Sequence, residues 1–562
     1  MKNYRLHARE KIKDLKELVK RSSDKYKNRD AFRIKTAEGA VRGISYKELY
    51  KDVEALGTAM MRLGILKSHV AVTGDNCYEW VVTYLAVVNG GAVIVPIDKE
   101  LPESEIANII KQSDSGTVVY SEALEPVIRS LQPQLPQLKC CIGMQKKTAH
   151  GCFKSFTQLI QYGRKLLEQG YTAYKDTVTN PEKMCVILYT SGTTGNSKGV
   201  MLSHKNLASV IWGAMSTIRV ESVAMSVLPI HHTYECTCEI LTAIYGGVTV
   251  CFCDSLKHVS ENLLLFRPKM LILVPLFVEA MYKKIWDKAK KTGVDGMLKL
   301  MIKLSNALRK LRIDLRSLFF RRVRAAFGGR LTLIVSGGAP LRAELVTGFD
   351  ELGIKVLNGY GITECSPLVS VNRNRYYKED SVGVVVPCCE VRINEPDENG
   401  EGEILVKGEN VMLGYYKNEA ETVNAFLNGW FKTGDIGRID DEGFLHVTGR
   451  IKNTIVLSTG KNVQPEELEE YLMGKMPYIR EVVVYSEEKE EGEETAISAA
   501  FVFDKEYIEE NGIKNPEALI KADFHKANRL LPTYKQISRF TCQYEEFEKT
   551  TTKKIKRFKV RK

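Results

Sequence analysis

Short apolar runs alternate along the chain with segments whose apolar residues recur every three or four positions. From about residue 45, YKELYKDVEALGTAMMRLG has helical spacing, and the β-branched run HVAVTGD after it reads as a strand. Another helix leads to the strand AVIVPID, the helix ESEIANIIKQS and the strand GTVVYS. After residue 205 the theme returns as helix HKNLASVIWGAM, strand SVLPI, helix TCEILTAIYGG and strand VTVCFCD. Such alternation builds βαβ units and a largely parallel sheet, because parallel neighbours need a crossover long enough to hold a helix. LAVVNGGAVIV and LTAIYGGVTVC occupy equivalent corners of two similar sub-sheets. The duplication predicts a crevice between the halves, at the carboxyl ends of strands, where α/β folds bind ligands.

A chain of 562 residues exceeds what one hydrophobic core supports. Near residue 450 its character changes: GRIKN is followed by short strands, an acidic turn SEEKEEGEE and a basic tail KKIKRFKVRK. The expected fold class is therefore α/β. A large N-terminal domain (1–451) would hold two duplicated βαβ-type sub-sheets plus a smaller strand-rich part, followed by a small α+β C-terminal domain (452–562).

Composition narrows the function. With 44% hydrophobic and 27% charged residues the chain reads as globular, and its net charge of +12 suits an anionic partner. The section from Lys283 to Arg330 is helical and heavily basic, which makes it a candidate for membrane or acyl-donor docking or a solvated helical face. The basic residues lack interleaved aromatics or a nucleic-acid reading motif, which argues against nucleic acid. The thirteen cysteines, including CC, CTC and CFC clusters, lie in apolar segments and read as reduced, small hydrophobes rather than disulfides or metal ligands. In strands, the C-x-C spacing would put both thiols on one face. The N-terminus has no apolar signal region, and the run WVVTYLAVVNGGAVIVPI is broken by Gly-Gly and Pro into helix, turn and strand. A cytoplasmic protein is expected, peripheral to a membrane at most.

The loop YTSGTTGNSKG, residues 189–199, follows the apolar run KMCVIL and precedes GVMLS, after which Ser203 is a plausible helix N-cap. Glycines that admit close backbone approach, hydroxyls and a lysine suit phosphate. A Walker A loop would run straight into a helix with Ser or Thr after its lysine; here Gly199 follows Lys198 and the loop joins strand to strand.

YTSGTTGNSKGVMLSHKN resembles the signature loop of the adenylate-forming superfamily: acyl- and aryl-CoA synthetases, peptide-synthetase adenylation domains and luciferase. Further motifs follow in that family's order: VSGGAPL (335–341), NGYGITE (358–364), GWFKTGD (429–435), GRIKN (449–453) and EKTTTKKIKR (548–557). With LPIHHTYE (228–235), the whole is most similar to a long-chain fatty acid–CoA ligase.

The resemblance implies ATP, Mg2+ and coenzyme A as cofactors, and activation of a medium- or long-chain fatty acid to acyl-AMP before transfer to the CoA thiol. An acyl–acyl carrier protein synthetase or an aryl-CoA ligase would share the adenylation step; a non-catalytic nucleotide-binding protein is the alternative of another class. The implied phosphate loop is Thr190, Ser191, Gly192, Thr193, Thr194, Gly195 and Lys198, and the adenine pocket Gly337, Gly338, Ala339 and Pro340. Tyr360 and Gly361 lead to Thr363 for the α-phosphate and Glu364 as the metal ligand; Asp435 would hold the ribose, with Arg450 beside it. Lys554 aligns with the adenylation lysine, although Glu548 and Lys553 stand where the family has Pro and Gly. Lys452 matches the hinge of the mobile C-terminal domain, Gly460 the pantetheine tunnel and His232 the gate beside the substrate carboxylate. His-Thr-Tyr here, in place of an aspartate, argues against an amino-acid substrate.

Overall fold

A computed structural model of the protein describes residues 3–36, 38–190, 197–457, 462–487, 496–549 and 555–560. The chain folds into two compact units. One comprises residues 1–391, 406–431 and 443–445, the other 392–405, 432–442 and 446–562.

The first unit carries two large sheets. One has the order Gly414–Tyr415, Lys198–Ser203, Met184–Thr190, Ile94–Ile97, His69–Thr73, Ser115–Tyr120, Cys140–Gly143, Phe153–Ser155. It is parallel except where Lys198–Ser203 and Gly414–Tyr415 turn back. The other has the order Val384–Val385, Leu368–Val371, Lys355–Gly361, Leu333–Ser336, Met270–Leu273, Val223–Ser226, Thr249–Phe252, Asp30–Lys35, Val41–Ser45. It is parallel in the middle and antiparallel at both ends.

The two corners matched in the sequence are equivalent. Helix Tyr78–Asn89 turns at Gly90 and Gly91 into strand Ile94–Ile97, and helix Thr242–Gly246 turns at Gly247 into strand Thr249–Phe252. The first of these helices is apolar nearly all round because it is buried on every side, with Trp80, Val82, Leu85 and Val88 sealed from solvent. Helix His204–Thr217 starts where Ser203 was expected to cap it. The Ser203 side chain accepts from the Asn206 amide, and Asn206 Oδ1 accepts from the Ser203 amide, an arrangement worth roughly 1 kcal/mol.

One local expectation is corrected. The strand assigned to SVLPI is Val223–Ser226; it stops before Pro229, which has no N–H to give a ladder. The helix expected over TCEILTAIYGG is present, and the π-helix Tyr234–Leu241 that opens it holds Cys236 and Cys238. The cysteines form no disulfide, and no cluster of His, Cys, Asp and Glu able to hold a metal exists among the described residues. No described helix is long and apolar enough to cross a membrane.

The strand-rich part expected before residue 450 is a five-stranded sheet of Cys389–Asn394, Gly402–Gly408, Trp430–Ile439 and Phe426–Leu427, with Leu445–Arg450 on Trp430–Ile439. In the second unit, strands Ile479–Glu487, Ala496–Phe503 and Arg539–Gln543 form a sheet, the first pair antiparallel and the second parallel. Helices Pro465–Lys475 and Pro516–Arg529 cover it through Leu468, Leu472, Ile520 and Phe524, which pack on Phe501 and Phe503. This is the α+β pattern expected for the C-terminal part.

Candidate active site

Parallel strands present their carboxyl ends on one edge, and adjacent ends bring distant sequence motifs together. Strands Leu333–Ser336 and Lys355–Gly361 pair in parallel with Ser336 opposite Asn358, so SGGAP and NGYGITE emerge side by side. Gly338 has φ +84°, a conformation that favours glycine. Gly337 is buried, and a Cβ there would stand 3.1 Å from the ring and hydroxyl of Tyr234. That tyrosine donates its hydroxyl proton to the Val335 carbonyl at 3.1 Å. Tyr360 is buried at the end of its strand, and Thr363 and Glu364 follow, half-buried, in a single 3-10 turn.

The turn containing His231 and His232 follows strand Val223–Ser226 and is pinned to the first sheet by Asn76. The Asn76 amide donates to Ser226 Oγ at 2.9 Å and to the Leu228 carbonyl at 2.6 Å, and Asn76 Oδ1 accepts from the Ile230 amide at 3.0 Å. His231 Nε2 lies 3.6 Å from Asp98 Oδ2, just past strand Ile94–Ile97. Burial lowers the His231 pKa, which keeps the imidazole neutral at pH 7, and its ring stands 4.2 Å from that of His232. The loop carrying His232 therefore lies between the carboxyl ends of the two sheets, as the crevice argument anticipates.

Behind it, the π-helix Tyr234–Leu241 buries Glu235 and Glu239 completely. The Ser226 hydroxyl donates to Glu235 Oε1. Burial pushes both carboxyl pKa values up, Glu239 furthest, with the neighbouring Glu235 carboxylate adding to the rise.

Strands Met184–Thr190 and Lys198–Ser203 are antiparallel, with Thr190 opposite Lys198, so the glycine-rich stretch joins two strands as expected. Ser191, Gly192, Thr193, Thr194 and Gly195 lie outside the described residues, as do Gly460, Lys553 and Lys554. At the foot of the loop, Lys198 Nζ pairs with Glu421 and lies 5.2 Å from the ring centre of Tyr415. The Tyr415 hydroxyl in turn donates to Glu364 Oε1 at 3.0 Å, and the Met412 amide donates to the Glu364 carbonyl at 2.8 Å. Burial and the Glu364 charge raise the Tyr415 pKa far above its ordinary value, so the phenol stays a donor. Tyr415 thus links the phosphate-loop lysine to the carboxylate of NGYGITE. Sequence reasoning missed Tyr415, Glu421 and Asn76; the only signal was the GYY aromatic pair beside an apolar run, which marks a strand edge more often than a site.

In the second unit, Asp435 is 2% exposed in strand Trp430–Ile439, and Arg450 Nε lies 2.8 Å from its Oδ1. The Asp435 amide donates to Thr433 Oγ1, whose hydroxyl donates to the Ile404 carbonyl. Lys452 sits in the 3-10 turn Ile451–Asn453. Lys549 and Ile555 pair across an antiparallel bridge, and the Glu548 carboxylate is held by Lys556 and Lys559.

Residues 19–416 match the family described as AMP-binding enzyme, and residues 452–562 match the AMP-binding enzyme C-terminal domain. The chain belongs to the AMP-binding enzyme family. It is 30% identical over 478 residues to the long-chain-fatty-acid–CoA ligase FadD15 of Mycobacterium bovis, covering 80% of this chain and 76% of that one. It is 30% identical over 497 residues to the long-chain-fatty-acid–CoA ligase ACSBG1 of Rattus norvegicus, covering 83% and 68%. Among solved structures it resembles ATP-bound MatB from Rhodopseudomonas palustris (TM-score 0.75, 24% identity, 97% and 98% covered). It also resembles a Mycobacterium tuberculosis fatty acyl CoA synthetase (TM-score 0.65, 22% identity, 98% of each). At these identities the structural likeness establishes the AMP-binding enzyme fold.

Proposed function

We propose that this AMP-binding enzyme is an acid–thiol ligase for medium- or long-chain fatty acids. A fatty carboxylate attacks the α-phosphorus of ATP, pyrophosphate leaves, and acyl-AMP forms; the CoA thiolate then attacks the acyl carbon and AMP leaves. The observation that carries this reading is the chain Lys198–Tyr415–Glu364, which joins the phosphate loop to the NGYGITE carboxylate in a unit whose relatives are named as fatty-acid ligases.

Two anions must meet in the first step, so charge and donors preorganised around the phosphates lower its barrier. Lys198, with Thr190 and the loop 191–195, would hold the β- and γ-phosphates, and Thr363 the α-phosphate. Mg2+ binds proteins through one or two carboxylates plus substrate phosphates. Glu364 fits that need: it is a half-buried carboxylate with one oxygen oriented by Tyr415. When bound, Mg2+ would offset negative charge on the phosphates. Tyr360 and the backbone of Gly337 to Pro340 form the adenine side, Asp435 oriented by Arg450 takes the ribose hydroxyls, and His232 stands beside the fatty carboxylate. Lys554 bridges carboxylate and α-phosphate. A hinge at Lys452 then moves residues 452–562, withdraws Lys554 and brings the segment around Gly460 to the thiol.

The test is ATP–pyrophosphate exchange driven by a panel of carboxylic acids, followed by AMP release with CoA or acyl carrier protein as acceptor. Exchange with C8–C18 acids and release with CoA are expected. Absence of exchange with every acid would leave a nucleotide-binding protein, exchange only with aromatic acids an aryl ligase, and release only with acyl carrier protein the carrier-dependent enzyme.

A further inference from the structure

Of the 81 lysines and arginines and 69 aspartates and glutamates in the chain, the section Lys283 to Arg330 holds 15 and 3. That leaves 66 of each elsewhere, so the excess of twelve positive charges in this stretch equals the net charge of the whole chain. It forms the end of helix Pro275–Lys291, then helices Asp295–Lys310, Arg316–Phe319 and Arg321–Ala325.

Helix Asp295–Lys310 has two unlike sides. Leu298 is buried on the core that also holds Phe320, Phe327 and Phe349, and Met301 and Ile302 pack against the same core. On the other side Met297, Leu300 and Leu304 are 51–66% exposed, and Leu311, just past the helix, is 71% exposed. At about 100° per residue these spacings make one apolar stripe, and exposed Lys299, Lys303 and Lys310 fall along one of its edges. Leu318, in the next helix, is 66% exposed. Isolated exposed leucines are ordinary, whereas a stripe of them edged by lysines is the composition of an interfacial helix.

The same section builds a concavity. Arg267, Arg321, Arg324 and Ser317 line a cavity of about 460 Å3, with Leu264, 56% exposed, on its wall. No lining residue is acidic. The cavity depends on Gly328, which has φ +80° and passes so close to helix Val259–Phe266 that a Cβ would stand 2.3 Å from the Leu263 carbonyl. Arg267 Nε donates to the Gly328 carbonyl at 2.9 Å, while Arg324 Nε is buried without a hydrogen-bond partner among the described residues. Three guanidinium groups around one opening suit a phosphate, which accepts several charge-assisted hydrogen bonds at once.

We propose that this section docks the enzyme on an anionic phospholipid surface: the leucine stripe enters the interface and the arginine cavity takes a lipid phosphate. A partner helix needs a groove, and this stripe is the exposed side of a helix, with lysines whose stems can lie along it while their ammonium groups reach headgroups. The concentration of charge in one section complements an anionic leaflet, where each basic residue adds to the attraction.

Flotation of the full chain with vesicles tests this. Vesicles of phosphatidylcholine with about 30% phosphatidylglycerol should carry the protein up and pure phosphatidylcholine should not, with release at high salt. The double variant Leu300→Ser, Leu304→Ser should lower the bound fraction about tenfold. The variant Arg321→Gln, Arg324→Gln should lose most of the preference for the anionic lipid. Both should retain wild-type turnover of octanoate, a water-soluble acid within the expected C8–C18 range, which shows that they fold. Equal flotation on both vesicles, no flotation, unchanged binding by both variants, or binding of an acidic carrier protein in place of vesicles would each overturn the proposal.

Discussion

The Tyr415 hydroxyl donates to Glu364 at 3.0 Å, while its ring lies 5.2 Å from Lys198 Nζ, so one side chain touches both ends of the candidate phosphate site. Tyr415→Phe keeps the ring and removes the hydrogen bond. The expected outcome is about a tenfold fall in ATP–pyrophosphate exchange with a higher Mg2+ requirement, alongside a stability loss of about 1 kcal/mol. Titration of exchange against Mg2+ checks it; an unchanged Mg2+ dependence would refute the orienting role.

Glu421 holds Lys198 in an ion pair that is partly exposed on both sides. Binding of ATP must take Lys198 from it. Glu421→Gln should therefore lower the apparent KM for ATP up to about fivefold, the span of an exposed pair worth 0–1 kcal/mol, with kcat little changed. A raised KM in initial-rate assays would mean that the pair positions Lys198 for its phosphate.

Asn76 makes three hydrogen bonds to the loop ahead of His231 and His232. Asn76→Ala leaves the Leu228 carbonyl and Ile230 amide without that partner, at a cost on the order of 2 kcal/mol. The KM for the fatty acid should rise more than the KM for ATP, since the loop borders the proposed carboxylate side. Equal changes in both would point to a purely structural anchor.

Glu239 is buried with its carboxyl pKa well above the usual range, through burial first and the neighbouring Glu235 second. The folded protein keeps that proton where the unfolded chain has lost it. Stability therefore declines as pH rises from about 4.3, by at most about 1.4 kcal/mol per pH unit, until the folded group itself ionises. Glu239→Gln does not titrate, so its melting temperature should gain on the wild type between pH 5 and pH 8. Thermal melts at both values decide; a constant difference would show that Glu239 carries no raised pKa.

Much of the architecture was legible because periodicity reports burial. The helix Tyr46–Arg62 and the strands His69–Thr73, Ile94–Ile97 and Ser115–Tyr120 fall where apolar spacing places them. Strand Val223–Ser226 precedes the run SVLPI, whose Val227, Leu228 and Ile230 are apolar because they are buried past the strand end and not because they pair. The helix expected over TCEILTAIYGG is present, but its first part, Tyr234–Leu241, winds as a π-helix, which no spacing in the sequence marks. Within the site, Lys198 could be found from its glycine- and hydroxyl-rich loop, and Glu364 from the resemblance of NGYGITE to the adenylate-forming motif. Their partners Glu421 and Tyr415 could not, since they come from 223 and 51 residues away in the chain and nothing local marks them.

With the section from Lys283 to Arg330 set aside, the remaining acidic and basic residues balance, and a protein at zero net charge tends to self-associate. The excess positive charge of this section thus equals the charge that keeps copies of this enzyme apart. A polyanion that neutralises this section would bring the net charge to zero and favour self-association.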